Sequence, residues 1–145
     1  MKSENIFTTI EDELKKILRD EQLNHPKLRE KYPQLNLGLS TNCYKNRDNN
    51  IIFTVCGEPE KDMDGDDIIR LYMRKEDEIL VLNEILLPIP RQGTGTKICN
   101  LLINLAKKNN LKQFRIHRVG DTSLPLCRSL KMIQDRDTDD YYLNL

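Results

Sequence analysis

The sequence contains no tryptophan, and aromatic residues make up only 6% of it, so a core must be assembled mainly from leucine and isoleucine. It has two histidines, His25 and His117, and four scattered cysteines, Cys43, Cys56, Cys99 and Cys127, with no C-x-x-C pair. That supply gives no basis for a zinc site or a disulfide framework, and no metal is expected. The cysteines read as reduced, partly buried thiols. No apolar run approaches the roughly 20 residues that span a bilayer, and MKSENIFTTI lacks the apolar centre of a secretion signal. A soluble, cytoplasmic protein without a membrane partner is therefore expected. Lys and Arg total 23 and Asp and Glu total 23, a formal net charge of zero, which removes the global electrostatic case for nucleic acid. Repeats, low-complexity tracts and linkers are also missing, so residues 1–145 are expected to form one domain.

What is present centres on Glu84–Ala106, E-I-L-L-P-I-P-R-Q-G-T-G-T-K-I-C-N-L-L-I-N-L-A. An apolar strand runs through a proline-flanked loop into R-Q-G-T-G-T and then into a helix. Ile98, Leu101, Leu102 and Leu105 follow the i, i+3, i+4, i+7 spacing of a buried stripe. Gly93 and Gly95 at such a junction let backbone N–H groups converge without interference from Cβ atoms. The unpaired amides and dipole of the helix start add to them, which makes a site for a phosphate or pyrophosphate. A plain turn is the alternative reading of the same glycines.

The rest of the chain gives that junction its setting. Thr8–Arg19 has a helical stripe of Ile10, Leu14, Ile17 and Leu18, acidic residues in its first turn, and Thr8 or Thr9 as cap. Asp20–Tyr32 reads as a second helix, or as one broken at Asn24–His25, stopped by Pro33. Leu35, Leu37 and Leu39 alternate as a short strand, and Tyr44–Asn50 is turn chemistry. Asn50–Cys56, Ile68–Lys75 and Ile79–Leu87 form three adjacent strands, an antiparallel meander. After the central helix, Leu111–Val119 is a strand parallel to the one bearing Glu84, which completes a β-α-β crossover. Ser123–Leu130 is a short helix with Asp121, Thr122 or Ser123 as cap. Lys131–Gln134 and Tyr141–Leu145 form a final hairpin around the acidic loop Asp135–Asp140. The fold class is α+β, a mixed sheet with helices.

With that order in view, Ile51–Leu145 resembles the GNAT superfamily of acyl-CoA-dependent N-acetyltransferases. The resemblance rests on E-I-L-L-P-I-P-R-Q-G-T-G-T-K-I, similar to the family's strand, proline, Q/R-x-x-G-x-G/A loop and helix. The tail L-C-R-S-L-K-M…Y-Y-L-N-L is similar to its short helix, L-G-F turn and last strand. The resemblance implies acetyl-CoA as cofactor. Its pyrophosphate would be held by the amides of Gln92, Gly93, Thr94, Gly95, Thr96 and Lys97, with the Thr96 hydroxyl as a further donor. Its pantetheine arm would bond to free backbone groups near Leu86 and Leu87, where the two parallel strands splay. The implied reaction is attack of a neutral amine on the thioester, with Glu84 as base. At the place of the usual acid, a tyrosine, stands Cys127, so the acid candidates are this thiol and Tyr141 or Tyr142. L-G-F becomes Leu130, Lys131 and Met132, and Pro90, which has no N–H, stands where Gln or Arg usually begins the phosphate loop.

Two functions follow. One is transfer of an acetyl group to an amine-bearing acceptor, small molecule or protein, for which the acidic segments Glu58–Asp67 and Asp135–Asp140 favour a cation. The other is an interaction or regulatory protein that keeps the fold, with or without coenzyme binding, and has no catalysis. The oligomeric state is left open, a dimer included. Other constellations fail on spacing: D-M-D-G-D-D has its glycine fourth rather than sixth for an EF-hand, and R-Q-G-T-G-T-K does not meet the Walker A pattern. Arg115 and His117 share one strand face and Arg118 the other, so they form no nucleic-acid stripe.

Overall fold

The computed structural model describes residues 6–31, 38–58, 68–89 and 93–145. Leu35, Leu37, Pro33, the D-M-D-G-D-D stretch and Pro90–Gln92 of the sequence reading lie outside them. A 3-10 turn, Ile6–Ile10, leads into helix α1 (Glu11–Leu18), which continues as a π-helical turn, Arg19–Leu23, before α2 (Pro26–Lys31). The strands are β1 (Gly38–Lys45), β2 (Ile51–Glu58), β3 (Ile69–Glu76), β4 (Ile79–Leu86), β5 (Gln113–Ile116), β6 (Ile133–Gln134) and β7 (Tyr141–Asn144). Helix α3 (Thr94–Lys108) connects β4 to β5, and α4 (Leu124–Ser129) connects β5 to β6. They form a seven-stranded sheet in the order β1-β2-β3-β4-β5-β7-β6, in which only β4 and β5 run parallel. The crossover and final hairpin are as expected.

The alternation of β3 buries Ile69, Leu71 and Met73 against the helices, together with Phe53 and Val55 of β2 and Leu80 and Leu82 of β4. Leu14 and Leu18 of α1 and Ile98, Leu102 and Leu105 of α3 supply the opposing layer. Phe7 stacks on Phe53 with ring centroids 5.2 Å apart, which fastens the N-terminal turn to β2. Removing this much Leu, Ile and Phe surface from water is the main force holding helices to sheet.

Three expectations need correction. The meander has four strands, because β1 runs on to Lys45 and pairs along its whole length with β2. Its residues G-L-S-T-N-C-Y-K carry little apolar alternation, and as an edge strand it is held chiefly by backbone hydrogen bonds. Neither Thr8 nor Thr9 caps α1. The N-cap is Ile10, and the Thr9 hydroxyl donates to the Ile6 carbonyl at 2.9 Å, since the chain enters α1 from the 3-10 turn. Ser123 occupies the N-cap of α4 without a capping bond, and its Oγ accepts the Gly120 N–H at 3.2 Å instead. Among the described residues, no helix is long and apolar enough to cross a membrane.

Candidate active-site cleft

One extra residue divides β4. Met73 pairs with Leu82 and Tyr72 with Glu84, so Asn83 has no counterpart on β3 and forms a bulge. Before it, Leu80 and Leu82 face the helices. After it, Ile85 opposite Leu71 returns to the core, while Glu84 and Leu86, opposite Tyr72 and Arg70, turn to the other face. Pairing with β5 also ends here, at Leu82 and Ile116, and the last bond runs from the His117 N–H to the Leu82 carbonyl at 3.0 Å. Arg118 then adopts a left-handed φ of 52°, and its N–H goes to the Asp140 carboxylate rather than to β4. The strands therefore part. They leave a cleft of about 620 Å³ lined by Leu82, Asn83, Glu84, Ile116 and His117, with Tyr72 at the side. The volume lies within the range of small-molecule sites. Beyond Leu82 the β5-facing edge of β4 has no strand partner. Among the described residues, the buried side-chain Oδ1 of Asn83 has no hydrogen-bond partner.

Helix α3 begins beside this cleft. Gly93 is its N-cap with φ 77°, a conformation that places about 1–2 kcal/mol of strain on a residue with a Cβ. A Cβ on Gly95 would meet Leu126 at 3.4 Å and Ile85 at 3.9 Å, ordinary contact distances, so the first turn of the helix lies against α4 and the cleft wall. The Lys97 N–H bonds to the Gly93 carbonyl, which removes it from the expected set of free amides. Thr94, Gly95 and Thr96 precede the first intrahelical bond, so their N–H groups point off the end of the helix. Gln92 lies outside the described residues.

Ile89 and the first residue of α3 are bridged by a residue that sequence reasoning missed. Gln22 is fully buried and sits on the π-helical turn. Its Nε2 donates to the Ile89 carbonyl and to the Thr94 hydroxyl, both at 2.9 Å, and its Oε1 accepts the Ile89 N–H at 2.9 Å. The adjacent Glu21 accepts the Thr94 hydroxyl at 3.0 Å and pairs with Lys97. No local pattern announces such a link. The only signal was a glutamine within an otherwise amphipathic helical stretch.

The other expected site residues separate. Glu84 lines the cleft, but its side chain is 43% exposed and forms an ion pair with Arg70 at 3.2 Å. Leu86 is exposed and Leu87 half-buried beyond the point where the strands part. Cys127 is fully buried in the core, and burial pushes its thiol up to about 11. The neighbouring Cys99 is pushed up to about 12 by burial and then by Cys127. A thiol so placed packs as a small hydrophobe. Tyr141 pairs with Ile116 and packs against the core, whereas Tyr142 lies on the other face under the Arg115 guanidinium, 5.6 Å from its ring centroid. Neither tyrosine lines the cleft.

The Asp135–Asp140 segment turns two of its charges inward. Arg115 Nη1 lies 2.8 Å from Asp135 and 3.2 Å from Asp140, and His117 Nδ1 lies 2.8 Å from Asp140. Burial alone raises the Asp140 carboxyl. The Arg118 N–H, the His117 charge and the hydrogen bonds of Arg115 and His117 outweigh it and hold the group below its ordinary value. These two carboxylates are thus compensated within the protein. Among the described residues, no group of three or more His, Cys, Asp or Glu is placed to hold a metal ion.

No family model matches the sequence, and no curated protein is significantly similar to it. Among solved structures, the chain is similar to a provisionally assigned acetyltransferase from Agrobacterium tumefaciens, at 10% identity over 100% of this chain and 98% of that one, TM-score 0.46. It is similar to the PaiA N-acetyltransferase of Thermoplasma acidophilum in complex with coenzyme A, at 13% identity over 96% and 82%, TM-score 0.43. A GNAT-family acetyltransferase from Staphylococcus aureus is matched at 14% identity over 97% and 88%, TM-score 0.43. Identities this low carry over no residue roles, and the overlaps are loose.

Proposed function

We propose that this chain binds an acyl-coenzyme A, acetyl-CoA first among them, and passes the acyl group to an amine. One observation carries the reading: the parting of β4 from β5 and the left-handed glycine start of α3 adjoin each other across Ile85 and Gly95. A helix start suits a pyrophosphate. A slot with unpaired strand edge and the orphaned Asn83 Oδ1 suits an extended arm bearing amide N–H groups. When bound, the thioester supplies an activated acyl carbon.

The N–H groups of Thr94, Gly95 and Thr96 hold the phosphates, while Gln22 and Glu21 keep the loop and Lys97 in place behind them. The free edge of β4 near Leu86 and Leu87 orients the arm. Glu84 accepts a hydrogen bond from the acceptor amine, and Arg70 keeps its carboxylate at the cleft wall. Cys127 and Tyr141 have no part in this reading, since both face the core. The exposure of Glu84 supports a second reading, in which the coenzyme is bound and not used.

Calorimetric titration with acetyl-CoA tests the binding. We expect saturable heat from the wild-type chain and at least roughly tenfold weaker binding by Gly93→Glu, equivalent to about 1.4 kcal/mol from backbone strain and the added negative charge. No heat from the wild type, or equal affinity in the variant, sinks the reading. Binding without transfer to any member of an amine panel selects the second.

A further inference from the structure

We infer that His117 is the catalytic proton acceptor in the cleft and that Asp140 is the residue that positions it. The inference rests on the acyl-transfer reading and deepens it.

The backbone fixes where the imidazole starts. His117 makes the last hydrogen bond that joins β5 to β4, at 3.0 Å, so its side chain leaves from the apex of the cleft. Its Nδ1 lies 2.8 Å from Asp140 Oδ1. An ionised carboxylate can only accept, so Nδ1 carries the hydrogen, and whenever the ring is neutral the lone pair is on Nε2. The Nδ1 edge of the ring is turned to Asp140, and His117 is one of the residues that line the cleft, which leaves Nε2 as the nitrogen we assign to the acceptor.

Asp140 is itself braced. Its Oδ1 accepts the Arg118 N–H at 3.1 Å, and its Oδ2 accepts from Arg115 at 3.2 Å, an arginine also held by Asp135 at 2.8 Å. A carboxylate fixed on three sides can hold an imidazole in one tautomer and stabilise its protonated form. Orientation of a base by a third group is a recurrent arrangement in acyl transfer. Glu84, the other acid-base group of the cleft, is engaged by Arg70.

The proposed step balances without a further reactant. The amine lone pair forms the C–N bond and the C–S bond breaks, its electron pair leaving on sulfur. His117 Nε2 takes the proton released by the amine. The imidazolium then returns that proton through water to the thiolate, giving the amide and the free thiol.

With only two histidines in the chain, imidazole nitrogen NMR can read His117 directly, using His25 as the internal reference. We expect the free wild-type protein to show the Nδ1–H tautomer at His117, and Asp140→Asn to lose that preference. In transfer assays, His117→Gln should lower kcat by roughly 10²- to 10⁴-fold while leaving the acetyl-CoA dissociation constant unchanged. The charged and titratable groups around the ring are Asp135 and Asp140 ahead of β7, Arg115 on β5, Arg118 next in the chain, and Glu84 and Tyr72 across the cleft. Neither a folding defect nor loss of coenzyme binding exchanges one tautomer for the other in a folded ring. Full transfer by His117→Gln, or an Nε2–H tautomer in the wild type, overturns the assignment of His117 alone. No transfer by the wild type overturns both readings.

Discussion

The two halves of β4 share eight consecutive residues and almost nothing else. From Ile79 to Leu82 the strand is paired on both sides and buries Leu80, Val81 and Leu82 to within 2% of full burial. From Asn83 to Leu86 it is bulged, paired on one side only, and leaves Leu86 41% exposed. A single unpaired residue separates a half that holds the fold together from a half that leaves backbone open. Opening a sheet in its middle does not require weak strands on either side of the gap. It requires one strand whose stability is concentrated at one end.

Leucine truncation should break the symmetry between the halves most strongly. Leu82→Ala should lose about 2–5 kcal/mol, the range for deleting buried leucine atoms and leaving a cavity. Leu86→Ala should stay within about 0.5 kcal/mol. Paired urea titrations measure both, and equal losses would dissolve the distinction. An intermediate effect is expected where the open half leads into α3. Gln22→Ala leaves the Ile89 N–H and carbonyl and the Thr94 hydroxyl short of partners, a loss of about 1–3 kcal/mol. Hydrogen exchange at the Ile89 amide should quicken, and acetyl-CoA should bind more weakly. Unchanged exchange there would show that the glutamine is not what holds the loop. The smallest stability change belongs to Glu84→Gln. Its partner is a surface arginine, so unfolding should shift by at most about 1 kcal/mol. Acetyl transfer should nonetheless fall, and a variant with wild-type transfer removes Glu84 from the mechanism.

The buried half is also the half that a reader of the sequence can find. Ile79–Leu82 and the stripe of Ile98, Leu102 and Leu105 are apolar at spacings set by the strand or the helix itself, so local pattern reveals them. The parallel crossover follows from strand, helix and strand in succession. The polar edge strand β1 lacks that signal, because its pairing with β2 uses backbone groups every residue possesses. The bulge at Asn83 depends on register with β3. The roles of Gln22 and of His117 with Asp140 depend on side chains distant in sequence. Cys127 matched the position of an expected acid in the linear order, and its packing against the core decided otherwise. Of the candidate cleft, the glycine junction and Glu84 were legible, whereas the partners that brace its far wall were not.

Gln22 has a consequence for the order in which the molecule is completed. The β1–β4 hairpins join residues close along the chain, while Gln22 reaches Ile89 across 67 positions and Thr94 across 72. Closing so wide a span carries a larger loss of chain freedom than closing a hairpin. The sheet can therefore assemble before the N-terminal helices dock, and the bridge from Gln22 to Ile89 and Thr94 closes only afterwards. A fixed start to α3 then becomes a mark of finished folding: an immature chain, however well its strands are paired, has yet to set that end of the helix.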